Sequence, residues 1–210
     1  MVQNLYKLTK QLKILNIKLF KLMKSLKLFV LLFCFFGILT YSNVMATEEA
    51  NYEIIKKNEI YEIRKYSDRL AVETMTSGID SNFRKLFNYI SGRNDTEEKI
   101  KMTTPVTQVE KNGNMSMQFY LPSKFNSENV PNPSREDVRI INIEGGYYAV
   151  LRYSGRASDK NFLKHKEILE KELQINNISI ISQPIRATYD SPFTLPMNRR
   201  NEAMFKVEIN

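Results

Sequence analysis

Cysteine, histidine and tryptophan are almost missing from this chain. Its 210 residues include one cysteine, one histidine and no tryptophan. The cysteine, Cys34, lies in the first 46 residues, so residues 47–210 have no internal disulfide, thiolate nucleophile or thiolate metal ligand. A single histidine, His165, excludes a three-histidine zinc site and a Cys–His dyad in that body. Acidic residues are absent from residues 1–46, which carry seven lysines. The remaining 164 residues hold 24 basic and 23 acidic side chains, a net charge of +1. The overall charge of +8 therefore belongs to the leader, and the body lacks the basic stripe expected of a nucleic-acid binder. A body of this size buries roughly 70% of its unfolded surface and needs no covalent staple.

Leu28 to Leu39 is an almost unbroken apolar run. It is shorter than the roughly 20 residues that cross a bilayer as a helix. Lysines precede it, and Val44-Met45-Ala46 closes it with small residues, the pattern of a secretory signal peptide. Translation from Met23 gives an ordinary signal; from Met1 the lysine-rich region is longer. Leu5, Leu8, Leu12, Leu15, Leu19, Leu22 and Leu26 then recur in steps of three and four between lysines, a basic amphipathic helix suited to an anionic membrane surface. Residues 1–46 are thus expected to be a cleaved signal or a retained membrane anchor. The body, 47–210, is expected to be a monomer in the periplasm or outside the cell. A cysteine-free body suits such a compartment.

The body reads as one domain of two similar halves. Tyr61–Tyr66 and Leu70–Gly78 look like strands in the first half, Val138–Ile143 and Tyr148–Gly155 in the second. Ala-Val recurs 78 positions on and Ser-Gly 77 positions on. A helical face follows each pair: Ile79, Phe83, Leu86, Phe87 and Ile90, with Asp80 or Ser81 as start cap and Gly92 as end; then Ser158-Asp159 to about Gln174, with Phe162, Leu169 and Leu173 as its stripe. Met115–Leu121 and Ala203–Ile209 alternate with period two, as half-buried strands do. Asn112-Gly113 marks a hairpin after Val106–Glu110. The pattern predicts an α+β fold: a distorted antiparallel β-barrel of two pseudo-twofold ββαββ repeats with two flanking helices.

Four segments could carry chemistry. Lys99–Val106 is extended before Pro105, with Lys99 and Lys101 on one side and Ile100 and Met102 on the other. It is a ligand rim or an edge strand shielded by lysines. Tyr189–Glu202 is a long loop; Arg199 and Arg200 either grip a carboxylate or pair with Glu202. His165 rides its helix stripe as an iron ligand, a base or a packed side chain. Phe83, Phe87 and Ile90 form core or the wall of a groove for a flat aromatic ligand.

In this order, Tyr61–Tyr66, Phe87–Asn94, Lys99–Val106, Tyr189–Pro192 and Arg199–Glu202 resemble the SOUL heme-binding family. The resemblance implies a SOUL/GyrI-like barrel and non-covalent, non-catalytic binding of heme or another tetrapyrrole. It implies that the ligand lies against the helix of Phe83, Phe87 and Ile90, with Arg84 and Lys101 meeting the propionates. Lys65 stands where some members carry an axial histidine, and protonated lysine is a poor iron ligand. His165 and Met102 remain as iron ligands, or no side chain serves. Alternatives are a module for another amphipathic small molecule and a hydrolase of the related fold, with Glu73, Glu62 or His165 as base. No paired acid–base constellation is visible for the latter.

Overall fold

A computed structural model describes residues 47–75, 78–111 and 113–209, together with Met23. The leader readings, including Cys34, and the Asn112 turn position lie outside the described residues. Strands β1 (Glu48–Glu49), β2 (Tyr52–Lys57), β3 (Glu62–Tyr66) and β4 (Arg69–Met75) precede helix α1 (Ile79–Ile90). Strands β5 (Thr103–Thr104), β6 (Val106–Lys111), β7 (Asn114–Tyr120), β8 (Val138–Ile143) and β9 (Gly146–Tyr153) lead to α2 (Asp159–Ile175). Strands β10 (Ser179–Ile180), β11 (Ile185–Thr188) and β12 (Asn201–Glu208) complete the domain. The two ββαββ units are thus β3-β4-α1-β6-β7 and β8-β9-α2-β11-β12.

The main sheet runs β2-β3-β9-β12-β11-β6-β7-β4-β8, with antiparallel pairing throughout. From the β11–β6 join the order is palindromic: β11-β12-β9-β3 one way and β6-β7-β4-β8 the other. The pseudo-twofold axis therefore passes through the join, where Arg186 faces Gln108 and Ala187 faces Thr107. Each unit lends its first strand to the other, because β3 pairs with β9 and β8 with β4. Gly145 permits this crossing. A Cβ there would lie 2.5 Å from the Tyr66 carbonyl oxygen and 2.8 Å from the Ser67 carbonyl carbon. The sheet curls but stays open, with β2 and β8 as its unjoined edges.

Alternation along each strand sorts side chains to two faces. Val72, Met117 and Phe119 pack with Leu86, Tyr89 and Ile90 of α1. Ala149, Leu151, Tyr153, Ala203 and Phe205 pack with Phe162, Leu169 and Leu173 of α2. Register pairs Met117 with Gln108, Gln108 with Arg186, and Arg186 with Ala203, so both helices cover the same sheet face. The caps differ between the helices. Ser158 accepts from the Asn161 amide at 3.3 Å and caps α2. Helix α1 has Gly78 as N-cap without a side-chain bond, so Asp80 lies inside its first turn instead of capping it. Gly92 follows its end with φ 105°, as its sequence position suggested.

Candidate functional site

The α1 stripe splits once it meets the sheet. Leu86 and Ile90 turn into the core, Ile90 being only 5% exposed. Phe83 and Phe87, one turn apart on the adjoining ridge, remain 40% and 47% exposed. Their rings stack with centroids 6.1 Å apart and 12° between planes, and Phe119 supports Phe83 edge-on at 5.1 Å. Exposed, pre-stacked aromatic faces are a surface for another flat apolar group.

These rings form one wall of a cleft of about 940 Å³ on the pseudo-twofold axis. That volume is at the upper end of the usual ~300–1,000 Å³ for small-molecule pockets. Val106 and Gln108 of β6, with Arg186 and Thr188 of β11, make the floor. Met102 and Met117 add thioethers, and Tyr189–Pro192 with Arg199 close the far side.

Three arginines reach this cleft. Arg84 is exposed and has no carboxylate partner among the described residues. Arg199 donates only to the carbonyls of Thr194 and Pro192. Arg186 bonds Asp159 at 2.6 Å, but its Nε is buried without a hydrogen-bond partner. A buried orphan donor is costly unless something else satisfies it. Arg200, by contrast, is fully engaged: it bonds both carboxylate oxygens of Glu49 at 2.8 Å and Glu202 at 3.0 Å.

The expected site residues therefore separate. Phe83, Arg84, Phe87 and Met102 line the cleft. Ile90 lies beneath it in the core, and exposed Lys101 points outside its lining. His165, the expected metal ligand, sits on the other helix, where it stacks on Tyr153 at 4.1 Å and its Nδ1 donates to the Asn161 carbonyl at 2.7 Å. That contact set is a packed side chain held away from the cleft. Gln108, Met117 and Arg186 were missed as site residues by sequence reasoning, because only non-local strand pairing brings them together; Tyr189 and Arg199 belong to the Tyr189–Glu202 loop that the sequence singled out. A stronger repeat signal was available. Asp80-Ser81-Asn82-Phe83 recurs as Asp159-Lys160-Asn161-Phe162, 79 positions on.

None of the bases the sequence suggested, Glu73, Glu62 and His165, lines the cleft. Burial raises the Tyr189 phenol, as does the Glu202 carboxylate it donates to at 2.6 Å, so it stays protonated. Glu73 lies on the opposite sheet face. Burial would raise its pKa, but hydrogen bonds from Lys111, Ser116, Gln118 and Arg139 outweigh that and hold it at about 2. Glu62 is likewise held low, its partial burial outweighed by Lys57 and Arg64.

Residues 47–206 match the family model described as SOUL heme-binding protein, and the chain belongs to that family. It is 31% identical over 159 residues to heme-binding protein 2 of Mus musculus, covering 68% of this chain and 75% of the mouse protein. Heme-binding protein 2 of Homo sapiens matches with the same identity and the same coverage of both chains. Among solved structures, the EcmrR C-terminal domain superposes with a TM-score of 0.54 at 12% identity, over 75% of this chain and 98% of that one. That likeness extends the fold and nothing further.

Proposed function

We propose that the domain binds heme or a related tetrapyrrole, non-covalently and without catalysis, in the cleft between α1 and the sheet join. One observation carries the reading: a SOUL-family chain leaves Phe83 and Phe87 stacked and half exposed over a cleft of about 940 Å³. A tetrapyrrole is a flat apolar disc with carboxylates on its edge. The phenylalanines suit the disc. Arg84, Arg199 and the orphaned Nε of Arg186 suit the carboxylates, so the residues present fit the group. Heme, when bound, supplies an iron centre. Among the described residues, the only sulfur side chains lining the cleft are Met102 and Met117, and no histidine lines it. With the secretory pattern of the leader, the reading is a buffer or carrier acting as a monomer outside the cytoplasm. N-terminal sequencing of the exported protein checks the leader.

Hemin titration followed at the Soret band tests the function. Saturable binding at micromolar concentration is expected. Phe87→Asp should weaken it roughly thirty- to a hundredfold, the weight of one buried aromatic face. No saturable change in the parent protein would end the proposal, and full affinity in a folded Phe87→Asp variant would move the site.

A further inference from the structure

Beside the cleft, the loop 191–198 holds its apolar side chains in water. Phe193 and Met197 are the two most exposed large hydrophobics of the described residues, at 94% and 70%, and Leu195 between them is 61% exposed. This exposure is built in. The Arg199 guanidinium spans the loop to the Thr194 and Pro192 carbonyls. Thr194 N donates to Ser191 O at 3.0 Å, Asn198 N to Leu195 O at 2.9 Å, and Gly155 N to Pro196 O at 2.8 Å. A loop so braced cannot fold its phenylalanine back onto the aromatic wall next to it. Large apolar side chains gathered on one presented segment signal an interaction surface.

The surroundings favour one occupant. Arg84 and Arg199 line the adjoining cleft, and Arg156 follows the Gly155 that bonds the loop. None of the three has a carboxylate partner among the described residues. The same lining holds Asp80 and Asp190, so its three arginines, Arg84, Arg186 and Arg199, face two aspartates and the surround is net positive; an apolar tip beside it matches an anionic lipid surface. The chain also arrives here. Thr47 lines the same cleft, and the 46 residues before it carry seven lysines, no acid and the apolar run Leu28–Leu39. Among the described residues no helix is long and apolar enough to cross a membrane.

The geometry points to Phe193, Leu195 and Met197 as a membrane-inserting tip that sets the cleft mouth against an anionic bilayer, so that the ligand passes between cleft and lipid without crossing water. The identity of that ligand rests on the function proposed above; the insertion itself does not.

The absence of tryptophan makes a clean test. In the full chain, Phe193→Trp gives one emitter at the tip, and Ile54→Trp one on the exposed edge strand β2 as control. With vesicles of phosphatidylcholine and phosphatidylglycerol, emission from the Phe193→Trp variant should shift to shorter wavelength and be quenched by brominated acyl chains. The shift should weaken with phosphatidylcholine alone, and the Ile54→Trp variant should not respond. The triple variant Phe193→Ser/Leu195→Ser/Met197→Ser should slow hemin transfer from vesicles about tenfold, as expected when interfacial apolar anchors are lost, while titrating normally in lipid-free buffer. An unchanged spectrum of the Phe193→Trp variant overturns the inference even if hemin binds. A blue shift on raising protein concentration without lipid also overturns it, assigning the tip to a second copy. Equal responses from the two variants overturn it as non-specific adsorption. Insertion without any hemin binding leaves the tip standing and removes the cargo.

Discussion

Helices α1 and α2 occupy equivalent places in a duplicated unit, yet one half closes over its core and the other does not. Phe83 and Phe162 are counterparts 79 residues apart, and they are 40% and 8% exposed. The difference comes from one side chain on the sheet. Arg186 lays its guanidinium over the Phe162 ring at 4.7 Å and pairs with Asp159 at 2.6 Å. Across the join the facing residue is Gln108, and Asp80, the counterpart of Asp159, lines the cleft instead of holding an arginine lid. The two halves share one scaffold; where an arginine packs over Phe162 the half is closed, and where a glutamine takes its place Phe83 stays open to the cleft.

If that contrast is sound, substitutions in the two helices should register in different measurements. Leu169→Ala in α2 removes a fully buried side chain and should cost about 3–4 kcal/mol in denaturant unfolding with little change in hemin affinity. Phe87→Ala should cost under ~1 kcal/mol of stability while impairing binding, since half its surface is already wet. Equal stability losses would break the comparison.

The opposite sheet face extends it. Each half buries one carboxylate there: Glu73 among Lys111, Ser116, Gln118 and Arg139, and Glu202 among Arg64, Tyr189 and Arg200. Glu73 falls from an ordinary 4.5 to about 2. Because its folded value lies below its unfolded one, the stability it adds is complete above the ordinary value and drains away as pH falls through the folded value. Glu73→Gln should therefore cost roughly 2–3 kcal/mol at neutral pH, and its unfolding curve should converge with the parent's towards pH 2. A constant gap across that range would show that packing, not charge, holds the node.

Two smaller effects sharpen the picture. Gln108→Arg should recreate the lid with Asp80 over Phe83 and lower hemin affinity about tenfold, an effect of the size of one cation–π and ion-pair contact. His165→Ala should leave the hemin absorption bands unchanged and cost about 1 kcal/mol through the lost stacking on Tyr153. A spectral change would restore His165 as an iron ligand.

Much of the fold was legible because it rests on periodicity. Period two along Met115–Leu121 and Ala203–Ile209 found β7 and β12, and the Phe83–Ile90 stripe found α1. Strand β2 was missed, because its side chains are mostly exposed and a register shift between Ile54 and Lys56 breaks its alternation. Of the site, the α1 wall, Met102 of the rim and the Tyr189–Glu202 loop were legible, but the wall made by the sheet was not. A hydrophobic stripe shows that Phe83, Phe87 and Ile90 share a face. It does not show that the offset of about 60° between Phe87 and Ile90 around the helix is enough to bury one and bare the other. The other wall depends on which distant strands become neighbours, and no local pattern in 106–111 or 185–188 announces that they pair.

The reciprocal loan of β3 and β8 carries a further consequence. Neither half completes its own sheet, so each needs the other as a template. A cut within 122–137 would yield two fragments that recover the native state only by complementation. The exchange has the symmetry of a strand-swapped pair, with residues 122–137 joining the two halves in one chain. Halves joined in one chain need not be identical, as an obligate symmetric pair must be, so a single arginine can seal one side alone.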